Sequence, residues 1–410
     1  MIKKVHTIVC GSGPAGLAAA LASVRQGRRT LLVEKNPETA RKLLASGNGK
    51  CNFSNTLPED EFMSSFGRNG RFMTNALRIF GREQLLEYLS SQKVHHTVVD
   101  NMYYFPASLK AADVRDAFLL TARELGLLVK NGTAVKHLCI ADGSISGVEF
   151  ADGTNCACQK VILATGGSAM PQLGSSSSGL RMAAECGHSI TPPLPAMAPL
   201  FLREEWIKNS SGISMPDAEI TLKSGNSSTV SRGTLLFTHD GFSGMAALNI
   251  SDPAYRSFEN KPQKTALFVN FLAGKSVHDY RELLENFKSS EPDKLLKSCL
   301  CSIFPRTLAG KLSELCQLDG VKNRELKNQT LEATARFLAS VPITLSAPCP
   351  MSKAMAMSGG VSLKEVDPAT FESRLVNGLY FAGEVLDLTG PCGGFNIQFA
   401  FASGYLAGNS

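Results

Sequence analysis

The stretch from Val5 to Lys35 constrains this 410-residue chain more than any other. A short β-branched run (Val5, Ile8, Val9) leads into Gly11, Gly13 and Gly16. Small apolar residues at helical spacing follow (Ala15, Ala18, Ala19, Ala22), and a second apolar run, Leu31-Leu32-Val33, ends in Glu34. Strand, glycine turn, helix and strand in that order predict a βαβ unit with the G-x-G-x-x-G fingerprint of dinucleotide binding. Gly11 permits the tight turn. Gly13 lacks the Cβ that would hold a diphosphate off the backbone, and Gly16 lets the helix lie close to the strand. The freed N–H groups and the positive helix end then face the phosphates. Glu34 stands at the tip of the second strand, where its carboxylate is able to accept from ribose hydroxyls. Taken alone, the unit does not choose between NAD and FAD.

Length implies about two or three domains, and 43% hydrophobic with 19% charged residues supports a substantial core. The net charge of +6 is spread along the chain. No basic run reads as a nucleic-acid arm, so a small anionic cofactor or substrate is expected and a nucleic-acid partner is not. Eleven cysteines, an odd number at irregular spacing, do not form a disulfide framework. Cys156 with Cys158, and Cys299 with Cys301, are too close-set for a zinc site, so no metal is expected. No segment approaches the ~18–20 apolar residues of a membrane span. The apolar run after Lys3-Lys4 is cut by Gly11 and belongs to the first strand, so it is not read as a signal peptide. A reduced, cytoplasmic location is expected.

Beyond Glu34 and Lys35, the loop from Arg41 to Asn55 is dense in small and polar residues, with Gly47 and Gly49 flanking Asn48. Such a run is able to wrap a ligand with backbone amides while Arg41 or Lys42 supplies charge. Apolar spacing predicts helices over Asn75–Gln92 and over Asp113–Leu127, the second capped by Asp113. Short strands are predicted at 127–129, 134–140, 145–150 and 156–164. The last runs through Ala164 into Thr165-Gly166-Gly167, and glycines at the carboxyl end of a parallel strand mark a ligand edge. Pro192, Pro193, Pro195 and Pro199 exclude helix and central strand and mark a domain boundary. Residues from about 200 to 273 alternate like β structure, and Val277–Ser340 is patterned as helix. Pro342, Pro348 and Pro350 mark the return boundary.

The closing stretch repeats the opening logic. Gly378–Phe381 reads as a strand ending in Gly383 and Glu384; Asp387 follows, then Gly393-Gly394 open a helix rich in small residues. A carboxylate just past a strand suits polyol hydroxyls, and a glycine-led helix start turns N–H donors toward a group that gains negative charge on reduction. Two glycine–carboxylate strand ends favour FAD over NAD.

Here the sequence resembles a known family. G-S-G-P-A-G, R-K-L-L-A-S-G-N-G-K-C-N-F-S-N, Y-F-P-A-S-L-K-A-A-D-V, L-A-T-G-G, L-F-T-H-D-G-F-S-G and G-L-Y-F-A-G-E-V-L-D-L-T-G-P-C-G-G-F-N-I-Q are similar, in order, to the BaiN/RdsA-type flavoproteins. These are glutathione-reductase-like proteins sometimes labelled aminoacetone-oxidase-type. The resemblance implies an α/β fold: a discontinuous Rossmann-like FAD-binding domain over 1–195 and 345–410. An inserted β-barrel-like domain would span 196–275 and 335–344, and carry a helical subdomain over 276–334. It further implies that Gly11, Gly13, Pro14, Ala15 and Gly16 hold the diphosphate and Glu34, with Lys35 beside it, the adenosine ribose. Lys42 and Leu43 would lie along the adenine–ribose side, with backbone from Ala134 or Val135 at the adenine. Ser46, Gly47, Asn48, Gly49, Cys51 and Asn52 would line the ribityl and ring side. Gly383 and Glu384 would meet the phosphate–ribityl region, and Asp387 with Gly393, Gly394, Phe395, Asn396 and Ile397 would frame the ring. The chain departs from the family pattern at Gly174–Gly179, Met245, Met357 and Cys392.

The expected activity is an FAD-dependent oxidoreductase, its flavin reduced by NADH or NADPH and passing hydride to a C=C or similar bond of a small organic acceptor. No second glycine fingerprint is present, so NAD(P)H would visit transiently. The alternatives are an amine oxidase using O2 and a flavin redox sensor without turnover. Flavin-dependent tRNA modification shares the first βαβ unit, but the diffuse charge argues against it. No catalytic side chain is fixed: His239 is a candidate proton donor, and Cys51 is a redox candidate with Cys392, against the reading of both as packing residues. Substrate identity and oligomeric state are not encoded legibly.

Overall fold

The computed structural model describes residues 2–410. Two compact units divide the chain: one made of residues up to Leu194 together with Met355–Ser410, the other Pro195–Ala354.

The first unit begins with β1 (Thr7–Cys10), α1 (Pro14–Arg25) and β2 (Thr30–Val33), the expected βαβ order. Every residue of β1 and β2 is buried, as parallel strands covered on both faces require. The short helices α2 (Arg41–Ala45) and α3 (Glu59–Ser64) flank β3 (Ser54–Asn55). The single helix predicted over Asn75–Gln92 is two, α4 (Thr74–Phe80) and α5 (Arg82–Ser91). Gly81 separates them with an extended backbone (φ −79°, ψ −164°), and a Cβ there would lie 2.5 Å from the Leu77 carbonyl oxygen. Strands β4 (His96–Val99) and β5 (Tyr103–Pro106) join β3 in a small antiparallel sheet. Helix α6 runs over Ala111–Glu124 with Lys110 at its cap, so Asp113 sits in the first turn rather than capping it. Then come β6 (Leu128–Lys130), the antiparallel β7 (Val135–Ala141), β8 (Ser144–Phe150) and β9 (Asn155–Ala157), and finally β10 (Lys160–Leu163). Helix α7 (Ser178–Glu185) precedes β11 (Ile190–Ala196). That proline-bearing strand exists, but only in a two-stranded sheet, where missing N–H donors are tolerated.

The second unit holds β12 (Leu200–Phe201), α8 (Glu205–Lys208), β13 (Ser214–Ser224), β14 (Ser227–Thr238) and β15 (Gly241–Ser243). Next is α9 (Met245–Asn260), a helix where β pattern was predicted. Its buried Ala246, Ala247, Ile250, Ser251 and Ala254 recur at helical spacing, hidden by the flanking alternation. After β16 (Thr265–Asn270) come the helices α10 (Val277–Ser290), α11 (Leu296–Leu300), α12 (Arg306–Leu315) and α13 (Asn328–Ala339), then β17 (Val341–Ile343). The sheet order is β12-β15-β14-β13-β16-β17. Its two ends meet at a single antiparallel bridge, Leu202 with Leu345, through Arg203 N to Thr344 O and Ser346 N to Phe201 O, both 2.9 Å. Phe237, Phe242 and Phe271 fill it.

The chain returns to the first unit with β18 (Ala356–Val361), β19 (Leu379–Phe381) and α14 (Phe395–Asn409). Strand β19 completes a five-stranded parallel sheet of order β19-β10-β1-β2-β6. Helix α14 lies directly on α1: a Cβ on Gly404 would stand 2.0 Å from the Ala15 carbonyl oxygen, and one on Gly408 2.2 Å from that of Ala19. The two ends of the sequence therefore share one core. No helix among the described residues is long and apolar enough to cross a membrane.

Candidate functional site

The three fingerprint glycines differ in what surrounds them. A Cβ on Gly11 (φ +100°) would lie 2.5 Å from the Ala164 carbonyl oxygen, and one on Gly16 only 1.8 Å from that of Gly11. Packing inside the protein accounts for both. At Gly13 no described atom beyond its chain neighbours lies within 4 Å of the Cβ position, and its backbone (φ −64°, ψ −178°) is open to any residue. Gly13 caps the 12-residue α1, with Pro14 at its first position. Open space beside the first amides of a helix is a cradle suited to a diphosphate.

Glu34 is buried, and both its oxygens are engaged. Ser12 donates to Oε2 from its backbone N (3.1 Å) and its hydroxyl (2.5 Å); Asn36 donates to Oε1 from its backbone N (2.8 Å) and Nδ2 (2.7 Å). Ser12 Oγ also accepts from Ala40 N. A ribose hydroxyl at Glu34 must therefore share the carboxylate or displace Ser12 or Asn36. Ala134 and Val135 lie close by, because Thr133 N donates to Glu34 O and Gly132 N to Asn36 O. Lys35 is exposed; partial burial lowers its pKa while Glu34 pulls the other way.

A second carboxylate, Glu384, gathers another group of expected residues. Its Oε2 accepts from Lys42 Nζ at 2.8 Å and Gly167 N at 3.3 Å, and its Oε1 from Met357 N at 2.9 Å. Gly166, at the end of the Ala164–Thr165 run, sits against the same carboxylate, its Cβ position 3.7 Å from Oε2. Gly383 (φ +73°) packs on Ala15, at 3.0 Å from Cβ to Cβ position, and donates its N–H to Ser403 Oγ. Leu43 is buried beside Lys42. Asp387 accepts from Thr191 Oγ1 at 2.8 Å.

From Ser46 to Asn52 the backbone is left-handed at Gly47, Asn48, Gly49 and Cys51, and Gly49 N and Cys51 N both donate to Ser46 O. Cys51 has no exposed surface; burial pushes its thiol up to about 12 against a weaker lowering from Ser46. Burial likewise pushes Cys392 up to about 12, and all eleven cysteines are free. Both are neutral thiols at physiological pH. Gly393 (φ +116°) and Gly394 (φ +82°) lead into α14. A Cβ on Gly394 would meet the Ser54 backbone at 2.6 Å, and Asn55 Nδ2 donates to Gly393 O at 2.9 Å. Asn396 braces the preceding loop through both polar groups of Gly390, Ile397 is half-buried, and Phe395 turns into the core against Phe62.

The expected residues thus fall into three groups: around Gly13 and Glu34, around Glu384, and around the Ser46–Asn52 loop with the α14 start. His239 belongs to the other unit, exposed at the turn that joins β14 to β15. Ser12, Asn36 and Met357 carry no local sequence signal for these contacts, whereas Gly167 falls in the glycine-marked strand end. Ser12 lies between two fingerprint glycines, and Met357 stands out only as a departure from the family pattern. No cluster of metal-ligating side chains occurs among the described residues.

Within the first unit, then, are a Cβ-sized gap at a helix start and one carboxylate at each of two strand tips. The two strand tips, of β2 and β19, belong to one parallel sheet, and with the loop of left-handed residues they make a donor and acceptor set that fits a dinucleotide. Similar proteins are known over nearly the whole length of the chain. The chain is 30% identical over 407 residues to a 3-dehydro-bile acid delta(4,6)-reductase of Clostridium scindens, covering 98% of each chain. It is 28% identical over 409 residues to a ribosomal RNA dihydrouridine synthase of Escherichia coli, covering 98% of this chain and 97% of the other. In fold it is similar to the 3-ketosteroid delta1-dehydrogenase of Sterolibacterium denitrificans, with a TM-score of 0.55 over 99% of each chain at 12% identity. The pattern described as HI0933-like protein Rossmann domain matches residues 5–410, and the chain belongs to that family of BaiN/RdsA-type oxidoreductase flavoproteins.

Proposed function

We propose that this protein is an FAD-dependent reductase, drawing on NADH or NADPH, that saturates a C=C bond conjugated to a carbonyl in a small organic acceptor. The observation that carries the reading is the open Gly13 cradle in a chain that matches a named C=C reductase from end to end. FAD, when bound, supplies hydride acceptance and donation. The α1 amides and Gly13 would hold its diphosphate, Glu34 its adenosine ribose, and Glu384, oriented by Lys42, its ribityl side. The amides that start α14 would supply donors where charge develops on reduction.

The test is anaerobic mixing of the flavin-loaded protein with NADH, NADPH or a primary amine, followed by an α,β-unsaturated ketone. Bleaching by a nicotinamide and recovery with the ketone supports the reading. Bleaching by the amine alone, with recovery under O2, supports an oxidase instead.

A second reading has its own support, the full-length similarity to a ribosomal RNA dihydrouridine synthase. The C5=C6 bond of uridine is also conjugated to a carbonyl, so the chemistry is shared and only the substrate differs. Uridine saturation in added ribosomal RNA, with no turnover of small enones, would favour it.

A further inference from the structure

A cleft of about 380 Å³ in the first unit involves none of the residues assigned above to the cofactor. It lies among β3, α3, α4, α5 and the first turn of α14, and its volume is within the ~300–1,000 Å³ of ligand pockets. Ser54 and Gln398 line it and are each 1% exposed, yet Ser54 Oγ and Gln398 Oε1 have no hydrogen-bond partner among the described residues. Leaving such groups unpaired is costly, and here two share one cavity. Arg82 also lines the cleft; its Nη1 donates to the carbonyl oxygens of Asn55 and Leu57, so the rest of its donor fork remains for other partners. Arg78, exposed at the mouth, makes no ion pair among the described residues. Glu59 and Glu83 lie on the same rim and offset the two arginines. A near-neutral cleft selects a small mono-anion or zwitterion over a polyphosphate.

We infer that this cleft is a second ligand site that takes a small carboxylic acid with a hydrogen-bond donor on the neighbouring carbon. The carboxylate meets the Arg78 and Arg82 guanidinium groups, whose fork geometry matches it. The donor, a hydroxyl or an ammonium, pairs with Gln398 Oε1, and the Ser54 hydroxyl takes the remaining oxygen. Occupancy there bears on the start of α14, because Ser54 backs Gly394 and Asn55 holds the Gly393 carbonyl.

Calorimetric titration of the full-length protein with L-lactate, L-alanine and acetate tests this directly. Lactate or alanine should bind saturably at one site, which of the two distinguishing hydroxyl from ammonium, and acetate about tenfold or more weakly. Arg78→Ala and Gln398→Leu should each weaken that binding about tenfold or more. Saturable binding of neither acid overturns the inference, as does binding unchanged in Arg78→Ala or acetate binding equally well. Should Gln398→Leu fail to fold, the exposed Arg78 decides the matter alone.

Discussion

Lys42 Nζ stands 2.8 Å from Oε2 of Glu384, although 342 residues separate them in sequence. The pair ties helix α2 to the turn that follows β19, and Gly167 and Met357 add their amides to the same carboxylate. Both side chains are less than a third exposed (29% and 19%), so solvent screens the pair only in part.

Removing the cation by Lys42→Met should cost about 1 kcal/mol or less, because two amide donors still hold Glu384. Glu384→Gln loses the charge that all three donors address and should cost about 1–2 kcal/mol. Urea unfolding of the FAD-free protein measures both. If the Glu384 variant is no less stable than the Lys42 variant, the carboxylate is not the hub described here.

Lys160 supplies a pH dependence. It is 4% exposed, its Nζ has no hydrogen-bond partner among the described residues, and it lies 3.8 Å over the Tyr380 ring. Burial, followed by the charge of Arg28, lowers its pKa from 10.5 to about 7. Between those values the unfolded chain binds more protons than the native one, so stability rises with pH. Below about 7 both forms are protonated and the full penalty of the buried charge remains. Lys160→Met should therefore stabilise the protein below pH 7, by roughly 1–3 kcal/mol, and flatten the rise above it. Denaturation midpoints at about pH 6 and about pH 9 would show this; a parent protein whose stability does not rise over that window contradicts it.

The βαβ unit and the glycine–carboxylate strand ends were legible because each needs particular residue types at fixed spacing. Gly11 and Gly16 had no alternative once the helix had to touch the strand. Hydrogen-bond partners were not legible: nothing local shows that Ser12 and Asn36 fill the Glu34 carboxylate, or that the amide of Met357 reaches Glu384. Helix α9 is hidden because its small buried residues lie between β-patterned strands, and the Gly81 break because one extended residue does not disturb the apolar spacing on either side. The buried oxygens of Ser54 and Gln398 become visible only once β3 and α14 are together.

Thiol reactivity should follow burial. Cys51 and Cys392, both buried and pushed up to about 12, should resist brief alkylation of the native protein, whereas the exposed Cys301 should be labelled. Peptide mapping decides this, and prompt labelling of Cys51 would restore it as a redox candidate.

In the proposed function Gly13 faces a cofactor rather than the protein. Gly13→Ala adds a methyl group that meets no protein atom, whereas Gly16→Ala drives one into the Gly11 carbonyl. The decisive measurement is FAD affinity and FAD-free unfolding stability for both variants beside the parent. The structure predicts that Gly13→Ala keeps the parent's FAD-free stability while losing FAD affinity by about a hundredfold or more, and that Gly16→Ala is itself unstable. A Gly13→Ala protein that binds FAD as tightly as the parent would contradict the central claim.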